Sequence, residues 1–221
     1  MILYEDNHLL VAVKPQNMPT QADSSGDEDF LRFLKKYVKD TYGKPGNVYL
    51  GLVHRLDRPA GGVMVFARTS KAAARITRQI KEFKMQKKYA AIVSAPLPPS
   101  GDLEDFLLKD PRTNITRVAP QGTPGAKPAF LHYDVLSSAN GYSLLDISLI
   151  TGRSHQIRVQ IANAGAPLAG DVKYGGSPAE KLCLWSREIS FDHPVTGERL
   201  TFCAPLPVYN PWNLFQSCFA L

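Results

Sequence analysis

A single carboxylate lies among three basic side chains in residues 54–58, His-Arg-Leu-Asp-Arg. The acid is Asp57, and the positive charge around it favours its ionised form. Residues 63–67, Val-Met-Val-Phe-Ala, follow two glycines and are typical of a strand that is buried on both faces. The pattern therefore predicts a reactive carboxylate that a loop presents at the mouth of a central strand.

The composition of the 221-residue chain is that of a globular protein with a basic surface. Hydrophobic residues make up 44% and charged residues 21%, and the net charge of +6 suits a polyanionic partner such as nucleic acid. A basic protein without any nucleic-acid role has the same composition, so charge alone leaves both classes open.

The cysteines and the apolar runs indicate the compartment. The three cysteines are widely spaced and form neither a disulfide framework nor a Cys-x-x-Cys site, which favours reduced thiols in a cytoplasmic protein. The first residues show no signal peptide, and no apolar run approaches the roughly 18 residues of a membrane span. We therefore expect a cytoplasmic protein without a membrane partner.

The first part of the chain predicts two strands and a helix. The strands are expected at residues 2–4 and 9–14, and Lys14 at the end of the second is a candidate contact for substrate phosphate. Acidic residues 27–29 precede a helix that ends at Gly43. Its apolar face is expected to comprise Phe30, Phe33, Leu34, Tyr37 and Val38.

A second helix is predicted after the strand at 63–67, with Ser70 as its N-cap. Its inward stripe is expected to include Ile76, Ile80 and Phe83. Its other face and its exit are strongly basic, through Lys71, Arg75, Arg78, Lys81, Lys84, Lys87 and Lys88. Because only Glu82 opposes these charges, phosphate contact by some of them competes with an ordinary solvated face.

The middle of the chain predicts a long loop and a hairpin. Residues 96–127 are rich in Pro, Gly and polar side chains, which indicates a basic loop that either closes over nucleic acid or is an ordinary surface excursion. Strands at 130–136 and 142–150, with Asn140-Gly141 between them, predict a β-hairpin.

The last third predicts a short helix, a second hairpin and an apolar tail. Ser154 is a candidate N-cap, Ile157, Ile161 and Ala164 are expected to face inward, and His155 and Arg158 share a face. A hairpin is expected within residues 182–205, and the aromatic tail, residues 209–221, is expected to pack on the body.

Six segments together resemble the RluA-type RNA pseudouridine synthases. They are residues 6–15, ending in Lys-Pro, and residues 54–58, 87–91, 126–129, 152–158 and 170–175. In residues 152–158, Gly-Arg-Ser-His-Gln-Ile-Arg, Ser154 replaces the family's Thr. The segment after Asp57 departs further, because Ala60-Gly61 stands where the family has Thr-Ser and so lacks two hydroxyl groups.

The resemblance implies a fold, a reaction and a domain organisation. The expected fold is α+β, a mixed, mostly antiparallel central sheet flanked by helices and loops. The expected organisation is one catalytic domain over residues 1–221, without a separate N-terminal RNA-binding domain. The implied reaction, isomerisation of uridine to pseudouridine in ribosomal or transfer RNA, requires no cofactor and no metal. We expect the protein to act as a monomer.

The resemblance also implies roles for single residues. Asp57 is expected to be the catalytic carboxylate, either as a nucleophile at C1′ or as a base at C2′, with Arg158 pairing to it and Tyr89 packing on the uracil ring. The expected substrate-binding residues are His54, Arg55, Arg58, Lys88, Arg153 and His155. The alternative function is a non-catalytic RNA-binding or ribosome-assembly protein on the same fold.

Overall fold

The computed structural model describes residues 1–43 and 45–219, which form eleven strands and three α-helices. The strands are β1 (Ile2–Glu5), β2 (Leu9–Lys14), β3 (Gly51–Leu52), β4 (Gly61–Ala67), β5 (Gln86–Val93), β6 (Ser100–Asp110), β7 (Ile115–Ala119), β8 (Lys127–Ala139), β9 (Tyr142–Leu149), β10 (Leu184–Asp192) and β11 (Arg199–Cys203). The α-helices are α1 (Phe30–Tyr42), α2 (Ser70–Lys81) and α3 (Gln156–Asn163). The fold is α+β with mostly antiparallel strands, as predicted. No helix in the described residues is both long and apolar enough to cross a bilayer.

The chain comprises two compact units, Met1–Met85 with Glu188–Ala204 and Gln86–Arg187 with Pro205–Leu221. In the first unit β2 pairs with both β1 and β4, and β11 pairs with the end of β10. In the second unit the strand order is β5-β9-β8-β6-β7. The expectation of a single catalytic domain stays a prediction.

Strand β4 is the core of the first unit. All of its residues are buried, as the apolar run predicted. Each fully buried Val, Met or Phe side chain stabilises the fold by roughly 1.5–3 kcal/mol. Because β4 is buried and paired with β2, the loop that precedes it is anchored at its C-terminal end.

Helix α1 follows its local signals closely. The Asp29 carboxylate caps its start by accepting a hydrogen bond from Arg32 N at 2.9 Å, and Gly43 ends it with a φ of 56°. Phe30, Leu34 and Val38 are buried. Phe33, predicted to face inward, is exposed and stacks on Phe30 instead.

The caps of the other two helices differ from the prediction by one residue. Thr69, not Ser70, caps α2, because its side chain accepts a hydrogen bond from Ala72 N at 3.1 Å. His155, not Ser154, takes the N-cap position of α3 and makes no side-chain cap bond there. Two residues predicted to face inward, Phe83 and Ala164, are exposed.

Residues 96–127, predicted as a loop, contain strands β6 and β7. β6 pairs with β8 from Ser100 to Leu107 and with β7 from Phe106 to Asp110. The backbone groups of this polar segment are satisfied by strands that lie nearby only in the folded chain.

The two predicted hairpins are confirmed. Asn140 and Gly141 both have positive φ, 51° and 78°, the geometry of a type I′ turn between β8 and β9. β10 and β11 form the second hairpin. In the tail, Trp212 and Phe215 are fully buried, and residues 220 and 221 lie outside the described part of the chain.

Candidate active site

The loop that carries Asp57 is fixed by the segment just after β2. Thr20 Oγ1 donates to Leu56 O at 2.8 Å and accepts from Leu56 N at 3.3 Å. Gln16 Nε2 donates to Pro59 O at 3.1 Å, and Ala60 N closes a turn onto Asp57 O at 3.0 Å. The backbone on both sides of Asp57 is therefore held, and the residue is half-buried.

We call the hydrogen bonds that hold the Asp57 loop the clamp, and Lys14 lies at its centre. Its side chain is fully buried, and Nζ donates to Pro15 O, Met18 O and Arg58 O at 2.9, 2.7 and 3.2 Å. Burial lowers the pKa of Lys14 to about 7, an effect that the negative charge of Asp57 opposes. Three carbonyl acceptors nevertheless favour the ammonium form, because only that form has three N–H donors. The predicted phosphate contact is therefore wrong, and Lys14 binds the Asp57 loop.

Replacing Lys14 with Met tests this clamp. We expect the free energy of unfolding to fall by about 2–4 kcal/mol, because three carbonyl oxygens lose their donor in a partly buried site. Urea denaturation measures the loss. The matched control is Lys36→Met on the exposed face of α1, which removes a surface ion pair and should change stability by less than about 1 kcal/mol. Equal stabilities of the two variants would contradict the clamp.

Two of the three basic residues that flank Asp57 in sequence form hydrogen bonds with other groups. The Arg58 guanidinium binds the carboxylate of Asp27 and lies 3.6 Å from that of Asp23. His54 Nε2 accepts a hydrogen bond from Val65 N in β4 at 3.1 Å. Arg55 is exposed. Lys14, 43 residues away in sequence, supplies a positive charge to Asp57 that the local motif did not reveal.

Tyr89 lies in the second unit, on β5. Its side chain is 6% exposed, and it pairs with Ile147 in the β5–β9 register. The neighbouring Lys88 lies 3.9 Å from Asp146, whose carboxylate also accepts from Arg187 at 3.1 Å. Lys88, which was predicted to bind substrate, thus shares the Asp146 carboxylate with Arg187.

The turn before α3 is held by a buried amide that sequence reasoning missed. Gln156 Oε1 accepts from Thr151 Oγ1 at 2.8 Å and from Arg153 N at 2.9 Å. Its Nε2 donates to Phe130 O and to Gln160 Oε1 at 3.1 and 2.9 Å. All hydrogen-bonding positions of this amide are used. The network holds the turn in which His155 has a φ of 53°, a conformation that non-glycine residues rarely adopt.

Arg158 lies inside a cage built from the loop after α3. Its Nε and Nη2 donate to the two oxygens of Asp171 at 2.8 and 2.7 Å, and both side chains are buried. Its Cζ lies 5.1 Å from the Tyr174 ring centroid, within cation–π distance. A two-point fork of this kind fixes the plane of the guanidinium as well as its position.

His155 and Arg158 share a face, as predicted, and the Tyr174 side chain joins them. Burial raises the pKa of Tyr174, which keeps its phenol protonated. The phenol oxygen accepts from Thr116 N at 3.0 Å, and His155 Nδ1 lies 2.7 Å from it. We assign the phenol proton to His155 Nδ1, which leaves the imidazole proton on Nε2. His155 is buried and supports this cage.

Arg153 has a more exposed position than Arg158. Its Nε donates to Pro128 O at 2.8 Å, while its backbone belongs to the Gln156 network. The structure thus places the predicted catalytic residues on rigid supports, Asp57 in the first unit and Tyr89 and Arg158 in the second. The supports themselves, Lys14, Gln156 and Asp171, carried only weak signals in the sequence.

The comparisons with known proteins agree on one family. Residues 8–163 match the family described as RNA pseudouridylate synthase. The chain is 33% identical over 219 residues to the ribosomal large subunit pseudouridine synthase C of Buchnera aphidicola subsp. Schizaphis graminum, over 94% of this chain and 68% of that one. It is 34% identical to an uncharacterised RNA pseudouridine synthase of Bacillus subtilis, over 99% and 72% of the two chains. The solved structure of Human RNA Pseudouridylate Synthase Domain Containing 4 gives a TM-score of 0.80 at 25% identity, over 97% of this chain and 92% of that one.

Proposed function

The chain belongs to the RNA pseudouridylate synthase family, and we propose that it converts specific uridines of ribosomal RNA to pseudouridine with Asp57 as the catalytic carboxylate. The observation that carries the proposal is the clamped Asp57 loop, which presents one partly exposed acid from a rigid strand end. Ribosomal RNA comes first because relatives are named for the large ribosomal subunit, and transfer RNA is the second substrate to test.

The reaction is an isomerisation that needs only positioned side chains. The bond between C1′ and N1 breaks, the uracil turns, and a bond forms between C1′ and C5. The proton on C5 leaves to solvent and N1 gains one, so nothing is oxidised and no group is imported. The target nucleotide must leave the base stack first, at a cost of a few kcal/mol.

Asp57 acts on the sugar, as a nucleophile at C1′ or as a base at C2′, and either role requires the ionised carboxylate. We assign Arg158 the task of orienting that carboxylate. Its fork to Asp171 uses Nε and Nη2, so this buried guanidinium is already fixed in one plane before RNA arrives. Pre-organised charge of this kind costs no reorganisation during the reaction.

Tyr89 packs against the turning uracil and assists removal of the C5 proton in this proposal. A largely buried aromatic ring on a central strand can stack on a base at little entropic cost. Arg55 is exposed next to Asp57 in sequence, and we assign its side chain to fill the space that the flipped base leaves in the RNA. Arg153, on the turn before α3, is assigned to phosphate.

Tritium release from RNA labelled at uracil C5 tests the function directly. We expect the purified protein to release tritium from large-subunit ribosomal RNA that has been transcribed without modification. Mapping of pseudouridines in a strain lacking the protein then identifies the site. RNA binding without any tritium release, from ribosomal and transfer RNA alike, would favour a non-catalytic RNA-binding protein instead.

A further inference from the structure

Helix α2 exposes a basic stripe beside a groove in the first unit. Lys71, Arg75 and Arg78 are all exposed and recur at intervals of four and three residues, which places them on one face of the helix. A groove of about 560 Å³ lies between this face and the turn that follows β10, and its lining includes Arg75, Arg78, Lys84 and residues 192–195. We call it the α2 groove.

The walls of the α2 groove are joined by side chain-to-backbone hydrogen bonds. The Gln79 amide donates to Asp192 O at 2.7 Å and accepts from Asp192 N at 2.9 Å. Arg75 Nη1 donates to Pro194 O, and Arg199 Nη1 donates to Lys84 O at 3.0 Å. These bonds fix the separation of helix and turn, so the groove exists before any ligand binds.

The α2 groove carries an excess of positive charge. Its acids are both paired already, Glu82 with Lys84 at 2.7 Å and Asp192 with Arg199 at 3.2 Å. In the part of the chain that the structure describes, no acid lies within 4 Å of the charged atoms of Lys71, Arg75 or Arg78. Three exposed cations on one helix face that form no ion pair with any described residue give this surface a positive potential, which attracts a polyanion.

The strand register places the α2 groove at the opposite end of the core from Asp57. Lys14 pairs with Gly62, next to the Asp57 loop, whereas Leu9 pairs with Ala67 at the other end of β4. His193 Nε2 bonds to Asp6 at 2.9 Å, which fixes the groove wall at the Leu9 end. Five residue steps along β4 span about 17 Å.

We propose that the α2 groove is a second RNA-binding site, which holds backbone phosphates of the strand flanking the target uridine. The inference rests on the proposed function, because an RNA substrate supplies the polyanion. A separation of about 17 Å along β4 is only a few nucleotides of an extended RNA strand, so a single RNA substrate is long enough to reach both places. Contacts to phosphate position an RNA without reading its sequence.

The test compares two double charge reversals. Lys71→Glu/Arg78→Glu reverses two charges of the basic stripe, of which Arg78 lines the α2 groove and Lys71 lies one turn before Arg75. The hydrogen bonds that join the groove walls do not involve these two side chains. Arg32→Glu/Lys39→Glu, on the exposed face of α1 in the same unit, changes net charge equally. The probe is a fluorescein-labelled 40-nucleotide oligouridine, and its affinity is measured by anisotropy between 50 and 300 mM KCl.

We expect the groove variant to bind the oligouridine at least 10-fold more weakly than wild type at 100 mM KCl. Its slope of log affinity against log salt should be shallower by about 1.4, since each phosphate contact on a single strand contributes about 0.7. The α1 variant should lose less than threefold. Equal affinities of the two variants would overturn the proposal, and thermal melts establish that both are folded.

The binding assay does not depend on turnover. If wild-type protein binds the oligouridine but never releases tritium from any RNA, the proposed function fails while the α2 groove is still tested. If tritium release is confirmed and the two charge-reversal variants bind the oligouridine with equal affinity, the α2 groove is not an RNA-binding site, while the proposed function stands.

Discussion

Asp57→Asn is expected to reduce tritium release from C5-labelled RNA by about 10⁴-fold or more while RNA affinity stays within about threefold of wild type. The amide keeps the shape of the carboxylate but can neither attack C1′ nor accept a proton from C2′. Affinity persists because phosphate contacts, not the acid, supply most of the binding free energy. The Asp57 loop is held by backbone contacts to Lys14 and Thr20, so folding should also survive.

The matched control is Asp40→Asn. Asp40 is an exposed acid on α1 in the same unit, where it pairs with Lys36 at 2.8 Å. Its replacement should leave turnover unchanged. Tritium release above about 1% of wild type in the Asp57 variant, at saturating RNA, would remove Asp57 from the chemistry.

Removal of Asp171 is expected to cost about 3–5 kcal/mol of stability, because the buried Arg158 guanidinium loses the carboxylate that accepts from its Nε and Nη2. We also expect turnover to fall by about 10²-fold with RNA affinity unchanged, since a guanidinium that is displaced by about 1 Å no longer orients the catalytic acid. The variant is Asp171→Ala. Denaturation curves measure the first effect, and tritium release at a temperature where the variant is folded measures the second.

A double variant separates positioning from stability. Arg158→Met/Asp171→Leu replaces the buried pair with apolar side chains of similar size, which typically recovers much of the lost stability. Its turnover should stay low, because the orienting guanidinium is gone. The control for stability is Asp40→Ala, which removes the exposed ion pair between Asp40 and Lys36 and should change the free energy of unfolding by less than about 1 kcal/mol. Wild-type turnover in the double variant would exclude Arg158 from the site.

Elements whose signals lie within a few residues of one another could be predicted from the chain alone. The apolar run of β4, the capped and amphipathic helix α1 and the Asn-Gly hairpin of β8 and β9 all formed as predicted. Each carries its signal within a few residues, namely side-chain periodicity, a cap and a turn with positive φ, although β4 also needs its distant partner β2. The family motifs are each short and local, and several of them together indicated the reaction.

The residues that support the proposed chemistry became visible only in the folded chain. The cations next to Asp57 in sequence suggested its charge partners, yet Arg58 binds Asp23 and Asp27 while Lys14 faces the loop. The polar segment forms strand β6 because its backbone groups hydrogen-bond to those of β8. Buried charges and backbone groups must be satisfied by whatever the fold brings near them, and those partners are distant in the chain. Periodicity and spacing describe a residue's own surroundings, so they cannot supply these pairings.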